Sequence, residues 1–234
     1  MNFDLGLSPA EFTDAIEARH SVRIYQDRPI APDIIAHLQD AITKLSKEVD
    51  GLRMKLIVNE PKAFGGRWAS YGNFKNVRNY IIISTQRGKD LDIQVGEQGE
   101  KAVLLAQHLG LNSCWVGLTY NNVPSVFSIP HNEKVRCLIA LGYGEEGTAR
   151  SHKIKSPTQV SNVEPDFPDW FKEGVRLALL APSAVNQQKF YFRLMPDGIS
   201  VRATTRFSLI GYTRIDLGIA RLHFSIGAGR DTVL

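Results

Sequence analysis

Hydrophobic positions along the chain repeat with two distinct periods, and those periods mark out its elements. In residues 8–18, SPAEFTDAIEA, the apolar residues Phe12, Ala15, Ile16 and Ala18 follow one another at helical spacing. Ser8 is placed to cap that helix, Pro9 suits its first position, and Glu11 stands three residues after Ser8 as in a capping box. The same period predicts helices over Ile34–Leu45, Gly99–Leu109, Phe171–Leu180 and Leu217–Ile226; in the second of these Ala102, Leu105, Ala106 and Leu109 share one face. Short runs rich in β-branched residues predict strands at Lys55–Val58 and Tyr80–Ser84. Cys114–Leu118 and Val135–Leu141 read as further strands, and Phe190–Met195 pairs with Ile199–Ala203 around Pro196–Gly198. Residues 147–168, GTARSHKIKSPTQVSNVEPDFP, are polar and proline-containing and read as a linker or long loop.

A faint repeat runs through this pattern. Glu97-Gln98-Gly99 opens one apolar helix and Asp216-Leu217-Gly218 another, at an offset of 119; Val103 then matches Leu222, Leu105 matches Phe224, and Gly110 matches Gly229. Two amphipathic helices can match in this way by coincidence. Two half-domains of similar build, joined near residue 160, would produce the same match.

Composition narrows the class. The chain has 234 residues, 43% hydrophobic and 22% charged, which suits one large globular domain or two small ones and excludes disorder as the whole account. The longest apolar runs, such as Leu177–Ala181, fall far short of the roughly 18–20 residues that span a bilayer, so no membrane association is expected. The N-terminal MNFDLGLSPAEF lacks a basic region followed by an apolar one, and a cytoplasmic location is expected. Cys114 and Cys137 are far apart, in no paired spacing, and read as small buried hydrophobes, so neither disulfide nor zinc is expected. The formal charge of +4 is mild; it suits an anionic ligand such as a phosphate, and the basic residues form no stripe of the kind that binds nucleic acid.

Two short segments concentrate polar chemistry. Arg19-His20-Ser21-Val22-Arg23 leaves the first helix and enters an extended stretch, where alternate residues face one side. Arg19, Ser21 and Arg23 can thus converge on one ligand, and the guanidinium fork suits phosphate. Taken alone, Arg19 and His20 can equally serve the helix C-terminus, with Arg23 a solvated charge. The second segment is Ala181-Pro182-Ser183-Ala184-Val185-Asn186-Gln187-Gln188. Pro182 stops the preceding helix, and Ser183, Asn186 and Gln188 lie at a helix-to-strand corner, where such residues ordinarily do turn and cap chemistry. Gly142-Tyr143-Gly144-Glu145-Glu146-Gly147 fits G-x-G-x-x-G, but two acidic residues inside it and no helix opening after it make it a turn.

Together the two segments resemble the signatures of the FMN-dependent nitroreductase family, R-[RH]-S-x-[RK] after the first helix and A-P-S-x-x-N-x-Q-P-W at a corner. The first is present without a gap. In the second, Ala181, Pro182, Ser183, Asn186 and Gln188 match, while Lys189 and Phe190 replace Pro-Trp. The resemblance, closest to the putative TM subfamily, implies an α+β nitroreductase-type fold. Ordinary members dimerise, and each flavin takes the Arg-Ser motif from one subunit and the Pro-Ser-Asn corner from the other. Here the motifs lie in different halves of one chain, which implies two tandem half-domains forming a pseudo-dimer, residues 1–160 and 161–234, with one flavin site retained.

By the same resemblance, Arg19, His20 and Ser21 would contact the FMN phosphate and ring, and Arg23 the N1–C2=O edge. Lys75 would reach ribityl or pyrimidine oxygens, and Trp115, Val116 and Gly117 would pass the N5 edge. Arg150, His152 and Lys153 would complete the phosphate site, with Pro182, Ser183, Asn186 and Gln188 closing the corner. The implied activity passes electrons from NADH or NADPH to a small-molecule acceptor such as a nitroaromatic or quinone, by a ping-pong route. No protein nucleophile is needed, because the cofactor carries the chemistry. A flavin-binding protein without turnover is the alternative, and the chain would be a monomeric pseudo-dimer or a weak homo-oligomer.

Overall fold

The computed structural model describes residues 5–66, 72–145 and 153–231. In chain order the elements are α1 (Pro9–Ala18), α2 (Pro32–Lys47), β1 (Leu52–Ile57), β2 (Asn79–Gln86), α3 (Asp92–His108), β3 (Asn112–Val116), β4 (Glu133–Gly142), α4 (Pro157–Val160), α5 (Asp169–Ala178), β5 (Phe190–Leu194), β6 (Val201–Thr205) and α6 (Thr213–Ala228). Short 3-10 turns occur at Lys62–Phe64 and Ala184–Asn186. The mixture is α+β, as the periods imply. Two elements differ from expectation. The helix expected from Gly99 begins at Asp92, since the buried Val95 and Gly96 already belong to its inner face. The stretch read as a loop contains α4, which Ser156 and Gln159 close with a capping box and Pro157 initiates.

The elements gather into two compact units, each assembled from separate stretches of chain. The sheet unit holds residues 19–91 and 102–150. Its four antiparallel strands run in the order β1-β2-β4-β3. All of β2 but its last residue is buried, as a central strand with both faces covered requires. Helix α2 packs its buried Leu38, Ala41, Ile42 and Leu45 beside β1. One cluster of this core joins Val22, Tyr25, Phe64, Phe74, Tyr80, Cys114 and Val116. Phe64 meets Phe74 and Tyr80 edge to face. The buried Glu60 carboxylate accepts from Lys62 N–H at 2.7 Å, Ala63 N–H at 3.0 Å and Tyr80 Oη at 2.8 Å, which satisfies it where a lone charge would be costly.

The helical unit holds residues 1–18, 92–101 and 151–234. Ser8 and Glu11 form the expected capping box of α1: Ser8 N–H donates to Glu11 Oε2 at 2.7 Å, and Glu11 N–H to Ser8 Oγ at 3.3 Å. Phe171 of α5, Phe192 of β5 and Phe224 of α6 form the aromatic centre, with Phe192 stacked on Phe224 at 4.6 Å. Nearly every residue of α6 from Ile215 to Ile226 is buried. Its buried histidine is held on both ring nitrogens: His223 Nε2 lies 3.0 Å from Glu100 Oε1, both fully buried, and His223 Nδ1 faces the Leu177 carbonyl at 3.2 Å.

The first turns of α3 and α6 cross at glycine. A Cβ on Gly96 would stand 2.1 Å from the Ile215 carbonyl oxygen, and one on Gly218 would stand 2.0 Å from that of Ile93. Backbone meets backbone here, so only glycine fits. The contact is reciprocal, pairing Gly96 with Gly218, Ile93 with Ile215 and Glu97 with Ile219, each pair 122 residues apart. This register differs by three residues from the offset of 119 read from the sequence. That offset aligned Gly99 with Gly218, whereas the glycine packed at the crossing is Gly96.

Among the described residues no helix is long and apolar enough to cross a membrane.

Candidate functional site

The Arg19–Arg23 segment lies in the sheet unit as an extended strap. Val22, its buried residue, points into the core, and the opposite side carries Arg19, Ser21 and the exposed Arg23, as two-residue alternation requires. The strap is held by its backbone. Ser21 bridges Ser113 of β3, and Val22 N–H donates to the Ser113 carbonyl at 3.0 Å. Two residues on, Lys75 N–H donates to the Arg23 carbonyl at 2.9 Å, and Tyr25 N–H returns to the Lys75 carbonyl at 3.1 Å. Gln26 N–H then bonds the Tyr143 carbonyl at 2.8 Å, and Glu145 N–H the Ile24 carbonyl at 3.0 Å. The strap is thus stitched to β3, to the segment around Lys75 and to the turn after β4. Of the G-x-G-x-x-G stretch, Gly142–Glu145 form this turn, while Glu146 and Gly147 lie outside the described residues.

Side chains tighten the arrangement. The Arg19 guanidinium donates to Ser21 Oγ at 3.4 Å. Tyr25 Oη, fully buried, donates to the Val22 carbonyl at 2.8 Å, and burial pushes its pKa well up, with Cys114 adding and Arg23 opposing. Beneath the strap lies Cys114; burial pushes its thiol up, while Arg23, Arg19 and a Ser21 hydrogen bond work against that. Arg23 and Lys75 are exposed and form no ion pair among the described residues. The strap thus presents two guanidiniums, an ammonium and a hydroxyl along one stretch, a donor set suited to an anion. His20 is half-buried between them, Trp115 and Gly117 are half-buried, and Val116 is buried at the end of β3. The sheet unit thus holds Arg19, His20, Ser21 and Arg23 on a strap joined by backbone to Lys75 and to the start of β3, the strand that ends in Trp115 and Val116, with Gly117 next.

The Pro182–Gln188 corner lies in the helical unit, and its polar groups are largely engaged within it. Ser183 Oγ accepts Gln188 N–H at 3.0 Å. Asn186 Nδ2 and Gln188 Nε2 each donate to the Lys153 carbonyl at 2.9 Å, and Gln188 Oε1 accepts Lys155 N–H at 3.1 Å. Three residues here, Val185, Asn186 and Gln188, have positive φ. The turn chemistry that such residues suggest in the sequence is what their side chains do, and it also fixes Lys153 and Lys155 beside the corner. Arg150 and His152 lie outside the described residues.

Three groups the sequence reading passed over hold this corner. Lys155 Nζ donates to the carbonyls of Gln187 at 2.9 Å and Gln188 at 2.7 Å. Gln187 Nε2 bonds Asp216 Oδ2 at 2.7 Å and the Gly211 carbonyl at 3.0 Å. Asp216, in the first turn of α6, also accepts Ala184 N–H at 3.0 Å; burial nevertheless pushes its carboxyl up to about 6. The signal for Asp216 was a carboxylate on a helix face otherwise apolar, and for Lys155 its two-residue spacing from Lys153.

The fold is that of the nitroreductases. A putative nitroreductase from Thermotoga maritima superposes with a TM-score of 0.67 at 21% identity, over 92% of this chain and 82% of that one. A putative NADH dehydrogenase/NAD(P)H nitroreductase from Bacteroides thetaiotaomicron gives 0.50 at 20% identity, over 63% and 94%. A putative NADH oxidase from Clostridium acetobutylicum gives 0.50 at 20% identity, over 63% and 97%. The chain belongs to the family described as "Putative TM nitroreductase", which matches residues 11–228. No curated protein matches it.

Proposed function

We propose that the chain is an FMN-dependent oxidoreductase that passes electrons from NADH or NADPH to a small organic acceptor such as a nitroaromatic or quinone. The observation that carries this reading is the strap. Its Arg-His-Ser-x-Arg sequence is the family's flavin signature, and five backbone hydrogen bonds fix it so that Arg19, Ser21 and Arg23 share one side. In this reading Arg19 and Ser21 hold the phosphate, with His20 beside them. Arg23 and Lys75 face the pyrimidine edge, and Val116, Gly117 and Trp115 form the wall along N5. Pro182, Ser183, Asn186 and Gln188 shape the corner, and Arg150, His152 and Lys153 supply further charge for the phosphate. When bound, the flavin supplies the hydride and electron chemistry, so the chain's own residues bind, orient and tune. A cation held at Arg23 favours negative charge on whatever ring lies against it, which raises the ring's tendency to accept electrons.

The reading includes two tandem halves, 1–160 and 161–234, acting as a pseudo-dimer. The reciprocal crossing of α3 and α6 supports it: equivalent helices related by a pseudo-twofold axis touch through equivalent residues, here at a constant spacing of 122.

The test is direct. The purified protein is expected to be yellow, to take up FMN on titration, and to oxidise NADH or NADPH when a quinone is supplied. Protein that binds FMN without oxidising either nucleotide would be a flavin carrier, and protein that binds no FMN would overturn the reading.

A further inference from the structure

We infer that the end of the β5–β6 hairpin is a binding site for a small organic anion with an apolar, ring-bearing body. The inference rests on this unit alone and does not depend on the flavin reading.

The site begins with a pair of like charges. Phe190 faces Thr205 in the register of the hairpin, and Arg206 N–H donates to the Lys189 carbonyl at 2.7 Å, so Lys189 and Arg206 stand opposite each other just past that pair. Like charges in directly opposite positions repel, and sheets ordinarily avoid them. A third cation joins them: Lys155 Nζ is tied to the carbonyls of Gln187 and Gln188, the residues that lead into Lys189. The proximity is felt electrostatically, since Lys189 and Arg206 add to burial in lowering the Lys155 pKa. None of the three forms an ion pair among the described residues. The buried carboxylate of Asp216 is already engaged by Ala184 and Gln187. Lys189 is also where this chain departs from the family's Pro, so the charge is a feature of this sequence.

Exposed apolar residues adjoin the cations in the chain, Phe207 directly after Arg206. Phe207 is 82% exposed, Leu209 91% and Val185 75%, in a protein whose other large apolar residues are mostly buried. The loop that carries them is fixed in place. Ser208 Oγ lies 2.5 Å from Gln187 Oε1 and accepts Ile210 N–H at 3.1 Å, and Gln187 Nε2 holds the Gly211 carbonyl. Val185 is a β-branched residue with φ of +46°, a strained conformation of the sort found where a surface is shaped for a ligand. Charge complementarity selects the occupant. The cations want an anionic group, such as a carboxylate or sulfonate, and Phe207, Leu209 and Val185 offer a face for an apolar ring attached to it.

The probe is 8-anilinonaphthalene-1-sulfonate, titrated by fluorescence into the protein as isolated, with neutral N-phenyl-1-naphthylamine as its uncharged counterpart. Saturable sulfonate binding is expected that weakens with salt. Lys189→Gln with Arg206→Gln should weaken the sulfonate about tenfold or more, the loss of a charge-assisted contact, and leave the neutral amine unchanged. Phe207→Ser should weaken both. Three results would overturn the assignment. The first is equal sulfonate affinity in the double variant. The second is displacement of the probe by stoichiometric FMN, which would make this the flavin's own site. The third is a fall in sedimenting mass with Phe207→Ser, which would make the patch a contact between copies.

Discussion

Arg19 and Arg23 sit on the same side of one strap, yet different consequences are expected of them. Arg19 bonds Ser21, and in the proposed reading its fork would take the phosphate. Arg19→Ala should weaken FMN binding by the worth of a charge-assisted contact, about 1.5–3 kcal/mol or roughly ten- to hundredfold, measured by fluorescence titration of apoprotein. Unchanged affinity would remove Arg19 from the site. Arg23 is exposed and unpaired with any described carboxylate, and in the proposed reading its charge would face the ring. Arg23→Gln should lower the flavin's midpoint potential while oxidised FMN stays bound, because the charge acts more on the reduced, anionic ring. A redox titration at matched occupancy reads this, and an equal or higher potential in the variant would show that Arg23 serves something else. Asp216 belongs at this scale too. Its folded pKa of about 6 lies above the usual 3.8. The folded state therefore holds the proton more tightly, so this group's stabilising contribution is full below about pH 4 and is lost as pH rises through 6. Relative to Asp216→Asn, the native protein should lose on the order of 2–3 kcal/mol between pH 4 and 7, read from urea transitions of both proteins. A gap between them that does not change with pH would refute the buried-carboxylate account.

At the scale of elements, the crossing of α3 and α6 is the contact with the least tolerance. Alanine is intrinsically better than glycine inside a helix by about 1 kcal/mol, so Gly218→Ala would stabilise an isolated helix. Here the added Cβ would meet the Ile93 carbonyl oxygen at 2.0 Å, and Gly96→Ala would meet that of Ile215 at 2.1 Å. Backbone cannot step aside as a flexible side chain can, and overpacking of this kind ordinarily costs about 1–3 kcal/mol. Both variants should therefore unfold at lower urea, whereas Gly198→Ala, at a turn where nothing lies within 4 Å, should lose only the strain of its positive φ. A Gly218→Ala variant as stable as the native protein would mean that the helices do not cross so closely. The sequence shows the two helices and a match at an offset of 119, while the close contact between them pairs Gly96 with Gly218, a spacing of 122.

For the molecule as a whole, the reading predicts one FMN per chain. The Arg-His-Ser-x-Arg signature occurs once, and its proposed counterpart half carries the Pro-Ser-Asn corner in its place. Equilibrium titration followed by flavin absorbance should saturate at a ratio near one. Saturation at two would end the argument for tandem halves that have kept a single site.

What the sequence by itself determined was local. Periods of apolar residues located the main helices and strands, because burying one face of a helix or strand leaves that period in the chain. The capping box of Ser8 and Glu11 and the strap's alternation were legible for the same reason, since their partners lie within a few residues. The tertiary structure alone decided the contacts made across long stretches of chain. It set Lys75 against Arg23 through backbone groups that carry no sequence signature. It turned Asn186 and Gln188 inward onto the Lys153 carbonyl, and it fixed Gln187 between Asp216, Ser208 and Gly211. It also brought Gly96 to Gly218, a register set by close packing of backbone, for which the chain records only two hydrogen atoms where side chains would be.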